Sequence, residues 1–323
     1  MKVLRAAAMA TAALLAAAVP AAAQGYPTKP IRWVVPYTPG GITDSVTRLV
    51  TQKIGAALGQ TIVVENKPGA NSIIGAENIA TAAPDGYAIL TVIAAHAANA
   101  TLYAGKLPFD PIRSFAPISL PAVAPLILTT SLAFPPKDMK ELIAHAKANP
   151  GKVAFGSSGI GAAAHLTTEL LKQTAGIDML HVPYKGTAPA LQDLVAGRIQ
   201  VLVDVPSSMM PHVRAGTIRG LAMFAATRVP GADEIPTIVE SGGPPIEAST
   251  WVMFLAPAGT PPAIVNRLSE ETAKALAQPD IRDRFAQLGI AAVGGTPAET
   301  GRFLADEIGK WAKVITTADV KPE

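Results

Sequence analysis

Two glycine turns and a handful of polar residues carry the groups that could do chemistry. Residues 153–165, VAFGSSGIGAAAH, run from a short apolar strand through Gly and Ser into the first turn of an expected helix. Within them, GIGAAA fits the G-x-G-x-x-A spacing of a dinucleotide-binding turn. Residues 34–44, VVPYTPGGITD, place Gly40 and Gly41 likewise between a strand and a helix, with Thr43 or Asp44 as the expected cap. A nucleotide turn also needs an acid at the end of the following strand, about 20 residues on, to hold the ribose. That strand here reads DMLHVPY, and its only acid, Asp178, stands at the opposite end, where Tyr184 and Lys185 take the required place. No dinucleotide or other cofactor is expected.

The physics beneath the fingerprint remains. A helix N-terminus presents unsatisfied N–H groups and about half a positive charge. Glycines let the backbone approach a ligand closely or take positive φ. Such a turn holds any anion, carboxylates included. One turn alone reads as a device for tight strand-to-helix packing. Two turns, one in each half of an exported chain, point instead to a receptor that grips an anion from both sides. On this reading Gly41 and Gly161 are backbone-contact positions where a bulkier residue obstructs the ligand or forces φ to change.

A hydrolase is the rival from another class. Ser158, His165 and Asp204 supply a nucleophile, a base and an orienting acid on paper. The G-x-S-x-G elbow is missing, because Ile160 stands where its last glycine belongs. His165 follows the turn and reads better as a capping or packing residue; His181, mid-strand, and His145 read as incidental. No histidines stand at i, i+4 and no acid–histidine cluster occurs, so neither a catalytic site nor a metal site is expected.

The bulk numbers set the context. The chain has 323 residues, 49% hydrophobic and 16% charged, enough for about two domains with a core each. Lys2 and Arg5, the apolar ALLAAAVP and Ala21-Ala22-Ala23 form the three parts of a signal peptide, residues 1–23, cut after Ala23. The rest, expected in the periplasm, carries 25 basic and 24 acidic side chains, once Lys2 and Arg5 are taken from 27 and 24. Near-zero charge gives no reason to expect nucleic acid or an anionic membrane as partner. The absence of cysteine removes disulfides and thiol chemistry. No later stretch approaches the ~18 to 20 apolar residues that span a bilayer.

Strands alternating with helical patterns must position the two turns, which argues for an α/β architecture with parallel sheets. PIRWVVPY precedes the first turn, and the helix after it (43–59) carries Val46, Leu49, Val50, Ile54 and Leu58 on one stripe, stopped by Gly59. TIVVENKPG and YAILTVIA add strands. VAFGSS, a helix stopped by Gly176, DMLHVPYKG and QVLVDVP repeat the layout, which reads as two similar domains. IRGLAMFA and TWVMFLAP follow, then two helices, one expected to be capped by Thr260 and one by a Thr296/Glu299 capping box. Trp33 and Trp311 lie on apolar faces and are expected in the core.

PIRWVVPYTPGGITD, VVENKPGANSIIGAENIATAAPDGY, SSGIGAAAHL, HVPYKGTAPALQDLVAGRIQV and FLAPAGTPPAIV, in this order, closely resemble the substrate receptors of tripartite tricarboxylate transporters, the TctC or Bug family. The similarity runs from about Tyr26 to Trp311. It implies a two-lobed periplasmic binding protein of the type II Venus-flytrap kind: two parallel-rich sheets flanked by helices and joined by a two-strand hinge. Residues 24–126 and 249–323 would form a discontinuous first lobe and 127–248 the second, with crossings near Leu126 and Ser249. The implied ligand is a small organic acid and the implied partners are two membrane permease subunits, or alternatively a membrane sensor; a monomer is expected.

The resemblance places the ligand carboxylate on the two glycine turns. Tyr37, Thr38, Gly40, Gly41, Thr43 and Asp44 match on one lobe, and Ser157, Ser158, Gly159, Ile160, Gly161 and His165 on the other. Tyr184, Lys185 and Asp204 match positions near the cleft, Tyr184 standing equally for ligand contact and for packing. Three positions depart from the family pattern. Ala95 beside His96, Ala162 after Gly161, and Val205 after Asp204 each lack a side-chain hydrogen-bonding group that the family often has there. The expectation is a carboxylate ligand with an apolar, aromatic or longer aliphatic body.

Overall fold

The computed structural model describes residues 25–322, so the expected signal peptide lies outside the described residues. The chain starts with β1 (Ile31–Val35), α1 (Ile42–Leu58), β2 (Ile62–Asn66), α2 (Ile73–Ala80), β3 (Ala88–Val92) and α3 (Ala94–Leu102). β1 alternates little because both its faces are covered, and the Trp33 indole N–H donates to Thr91 Oγ1 at 2.9 Å in the interior. α1 ends at Gly59 in the left-handed conformation, φ 64°, as its sequence predicts.

β4 (Phe115–Pro125) and β5 (Ile127–Ser131) then follow almost without a break but belong to different sheets. The second half holds α4 (Met139–Ala148), β6 (Ala154–Ser157), α5 (Ala163–Ala175), β7 (Leu180–Pro183), α6 (Thr187–Val195), β8 (Val201–Asp204), α7 (Pro206–Arg214) and β9 (Ile218–Met223). β10 (Ser249–Pro257) returns to the first sheet, and α8 (Pro262–Leu276), α9 (Pro279–Gln287), β11 (Ala291–Gly294) and α10 (Pro297–Thr317) complete the described chain. Where the chain passes between sheets, Leu126 N–H donates to Ala248 O at 3.2 Å and Ser249 pairs with Pro125.

The strand orders are β11-β4-β10-β3-β1-β2 and β7-β6-β8-β5-β9. This is the expected α/β fold of two sheets with flanking helices, but the sheets are mixed. Within the two sheets, the parallel strand pairs are those of the trios β3-β1-β2 and β8-β6-β7. β4 leaves the first sheet and β10 re-enters it, so these two necessarily run in opposite directions.

The core also differs from two separate interiors. One apolar cluster runs from Trp33, Ile89 and Phe254 around the first sheet to Leu142, Phe155 and Leu166 around the second. A smaller one, with Leu194, Leu202 and Met209, lies apart in the second half. α10 spans the seam, packing against both α3 and α5, and Gln173 Nε2 donates across it to Val314 O at 3.1 Å. α10 starts with the predicted capping box, Glu299 Oε2 accepting from Thr296 N–H at 2.8 Å. Trp311 is fully buried, and its indole N–H and that of Trp251 both donate to Glu307 Oε2, at 2.9 and 2.8 Å. Thr260 does not cap α8: Pro261 holds that position, and the Thr260 hydroxyl donates to Pro257 O instead.

Candidate ligand-binding site

In each parallel trio the first strand lies between the other two, so the connections leave it on opposite sides. Open α/β sheets bind ligands at such switch points, outside the carboxyl ends of the strands. The first glycine turn follows β1 and the second follows β6, which puts each at the switch point of its own sheet.

The first turn departs from expectation at its cap. Gly41, with φ −74°, is the N-cap of α1, and neither Thr43 nor Asp44 holds that place, since helical geometry begins at Ile42. Asp44, buried in the first helical turn, reaches back: Oδ2 accepts from Gly40 N–H at 3.1 Å, and Oδ1 accepts from Arg48 Nε and Asn66 Nδ2, both at 2.9 Å. Burial disfavours the charged carboxylate, but these hydrogen bonds together outweigh it and hold Asp44 below the usual range. Paired with Arg48, Asp44 fastens the turn and leaves the N–H groups of Ile42 and Thr43 without intrahelical partners. Thr38, Gly40 and Gly41 are exposed, whereas Thr43 is buried. At Gly41 φ is ordinary and an added side chain would meet no protein atom within 4 Å, so the bound ligand is the one thing it could obstruct; the positive φ, 89°, belongs to Gly40.

A segment missed from the sequence joins the two turns. Ala70, Asn71 and Ser72 all have positive φ, at 44°, 49° and 74°. On one side the residues flanking this segment meet the start of the first turn: Asn66 Nδ2 donates to Tyr37 O at 3.0 Å, and a side-chain carbon at Gly75 would lie 2.6 Å from Pro36 Cβ. The Tyr37 and Ser72 hydroxyls are both buried without a hydrogen-bond partner among the described residues. Burial drives the Tyr37 phenol well above its ordinary pKa, with only a small opposing pull from Ser72. On the other side the segment meets the second turn, a side-chain carbon at Gly161 falling 3.6 Å from Asn71 Nδ2 and against Leu102 Cδ1. Asn71 is itself fixed, Nδ2 donating to Asn99 Oδ1 at 2.7 Å while Asn99 Nδ2 donates to Asn71 O at 2.8 Å. The two glycine turns therefore converge on one corner.

The second turn has φ 143° at Gly159 and 78° at Gly161. Ala162, the N-cap of α5, has no hydroxyl to offer, and His165 Nδ1 accepts the Gly161 N–H instead, at 3.1 Å. The His165 ring stacks on His181, centroids 3.8 Å apart and planes 11° from parallel, and His181 stacks on Phe155 at 4.8 Å. His181 Nε2 lies 2.7 Å from Ser157 Oγ, which also accepts from Gly159 N–H at 3.3 Å. Ser157 and His165 are buried, so the matched positions at this turn split into a half-buried rim of Ser158, Gly159, Ile160 and Ala162 and a supporting layer behind it. Burial, then His181 and Lys172, push His165 down to about 3; burial and Lys172 push His181 down to about 4. His181 is thus part of the turn's support and not incidental. Its place opposite Phe155 in the β6–β7 register is the sheet-level fact that local sequence lacks.

The side chains of the other expected contacts have partners of their own. His96 is a core residue: it stacks on Phe109 at 5.9 Å, its Nε2 is 2.9 Å from Pro111 O, and burial pushes it down to about 4. Ala95 is buried beside it on α3, a helix not anticipated from the sequence. Tyr184 packs against Gly156, and its hydroxyl donates to Asp193 Oδ2 at 2.6 Å; burial and Asp193 push the phenol up to about 12. Lys185 is exposed. Backbone bonds from Tyr184 and Gly186 N–H to Ser157 and Ser158 O still lay this segment alongside the second turn. Asp204 ends β8, buried, with Oδ2 accepting from Thr187 Oγ1 at 2.6 Å and Oδ1 from Val205 N–H at 2.7 Å. Burial raises its pKa despite those two bonds. Ser158, His165 and Asp204 form no triad, because His165 is committed to Gly161 and Asp204 to Thr187 and Val205.

Among the described residues no group of three or more His, Asp or Glu could hold a metal ion, and no helix is long and apolar enough to cross a membrane. A surface hollow of about 610 Å³ lies away from both turns, lined by residues of the 225–247 stretch, including Arg228, Val239 and Glu240.

Comparison with known proteins adds four findings. A protein from the tcbD-tcbE intergenic region of Pseudomonas sp. strain P51 is 38% identical over 291 residues, 90% of this chain and 86% of its own. The R. palustris protein Rpa4515, solved with adipate, is 34% identical with a TM-score of 0.84, over 92% of this chain and 100% of its own. MatC from Rhodopseudomonas palustris, with bound malate, is 32% identical with a TM-score of 0.79, over 90% and 100%. A family model described as the tripartite tricarboxylate transporter family receptor matches residues 46–320. With the two glycine turns at equivalent switch points of two mixed sheets, the chain belongs to the TctC family of solute-binding receptors, which are not enzymes.

Proposed function

We propose that this receptor works in the periplasm, where it binds a small carboxylate between the glycine turns and delivers it to the membrane subunits of a tripartite tricarboxylate transporter. The observation that carries the reading is the approach of both turns to one stretch of chain, Gly161 to Asn71 and Pro36 to Gly75. Helix N-termini α1 and α5 each add only ~0.3 to 1 kcal/mol through their dipoles, or about 2 when partly buried. Direct N–H bonds and exclusion of water must supply the rest of the affinity. The export pattern in residues 1–23 supports the location.

The domain boundaries belong to the same proposal: 24–126 with 249–323 as one lobe and 127–248 as the other, closing about Leu126 and Ser249. Backbone pairing of Leu126 with Ala248 supports a two-strand hinge there. Adipate and malate in the solved relatives support the ligand class. Ile160 and Ala162 on the rim support an apolar-bodied acid, such as a longer aliphatic or aromatic one.

Native mass spectrometry of the purified protein will show which acid it retains. Melting shifts with citrate, malate, adipate and benzoate will rank the candidates, and the expected result is a saturating shift with the acid recovered unchanged. A preference for citrate or malate over the apolar acids defeats the apolar-body reading. No shift with any acid, or consumption of the acid, defeats the receptor reading.

A further inference from the structure

The second glycine turn depends on two imidazoles lying behind its rim. We propose that His165 and His181 act as a stacked positioning clamp that fixes the backbone of this turn through the Gly159 and Gly161 amides, so that its other amides stay preset for the ligand carboxylate. The proposal rests on the reading of the turn as a carboxylate site.

Gly159 and Gly161 occupy the left-handed side of φ, and glycine loses more conformational freedom on ordering than any other residue. A turn built on two of them stays preset only if something ties each one. Gly161 is tied through its N–H to His165 Nδ1. Gly159 is tied through its N–H to Ser157 Oγ, which His181 Nε2 fixes in turn. The face-to-face stack of the two rings joins these ties, and Phe155 backs it. Neither glycine can shift without disturbing a ring stacked on the one that serves the other.

The clamp works with His165 uncharged, because Nδ1 must offer a lone pair to the Gly161 N–H. The groups around the pair agree with this state. Glu169 Oε1 stands 3.9 Å from His165 Nε2 but is engaged by Lys172 at 3.0 Å, and from the first half of the chain Leu102, Ala98 and Asn71 bring no charge to the turn. With burial, this surrounding keeps both rings neutral throughout the neutral range.

The test separates the acceptor from the ring. His165→Phe keeps a stacking ring without an acceptor, whereas His165→Asn puts an acceptor at the same position without the ring. Two measurements on the mature protein at pH 7 are needed. Amide hydrogen exchange at Gly159 and Gly161 by NMR reports on the turn without ligand. Calorimetry with succinate, adipate, malate and benzoate reports on binding. His165→Phe is expected to speed Gly161 exchange at least tenfold and weaken the best-bound acid at least tenfold, and His165→Asn to restore slow exchange at Gly161 while leaving Gly159, which depends on the stack, exchanging faster than in the wild type. His181→Phe should speed exchange at Gly159 and weaken the same acid. If His165→Phe matches the wild type in both measurements, or if Phe and Asn variants fail alike, the clamp is overturned while the carboxylate site stands. A wild type that binds none of the four acids overturns the site reading, and with it the clamp's purpose.

Discussion

At Gly161 a φ of 78° and the neighbouring Leu102 both exclude a side chain, whereas Gly41 has neither constraint. Gly161→Ala is therefore expected to weaken acid binding more than tenfold, with a stability loss of about 1–2 kcal/mol from the left-handed backbone. Gly41→Ala should stay within threefold of the wild type; calorimetry on both variants checks the contrast, and equal losses would remove the distinction. Tyr37 offers a second test at this scale. Its buried hydroxyl lacks a partner in the free protein, so Tyr37→Phe should leave the urea midpoint unchanged or raise it. If the hydroxyl meets the ligand, the same change weakens binding; unaltered affinity would assign Tyr37 to packing.

Among the elements, the strands and helices that carry the two turns are legible in the sequence. Apolar runs end in glycine, and Gly59 and Gly176 stop α1 and α5 in the left-handed conformation their positions suggest. α3 is not legible, because Ile93 caps it without a hydrogen-bonding side chain and its alanines extend the apolar run of β3. The Asn71–Asn99 and His165–His181 pairs are equally hidden, since they arise from strand order and not from local spacing. The Ala70–Ser72 turn lies within VVENKPGANSIIGAENIATAAPDGY, yet nothing in ANS announces three successive left-handed residues. Each such residue costs roughly 1–2 kcal/mol. Ala70→Gly should raise unfolding free energy by about 1 kcal/mol in urea titration while weakening ligand binding through a looser Asn71. Tighter binding in this variant would show that the strain serves no site.

Over the whole molecule, His96, His165 and His181 are held neutral, with values near 4, 3 and 4 against an ordinary 6.5. The unfolded chain binds more protons than the folded one between those limits. Their stabilisation is thus complete above about pH 6.5 and lost as pH falls toward 4, by up to about 1.4 kcal/mol per pH unit for each proton taken up. Asp204, raised by burial, acts in the opposite direction, and Asp44, lowered, adds its loss only at more acid pH. Urea unfolding should give level stability from pH 8 to 7 and a decline that begins by pH 6. A profile level to pH 5 would mean that these rings titrate normally.

The Gln173–Val314 contact has a mechanical consequence, given closure about Leu126 and Ser249 as proposed. α5 carries the second turn at its front end and is moored near its rear to the last helix. On that proposal, swinging the halves apart has to break or carry along this hydrogen bond, and removing it with Gln173→Ala is expected to quicken release.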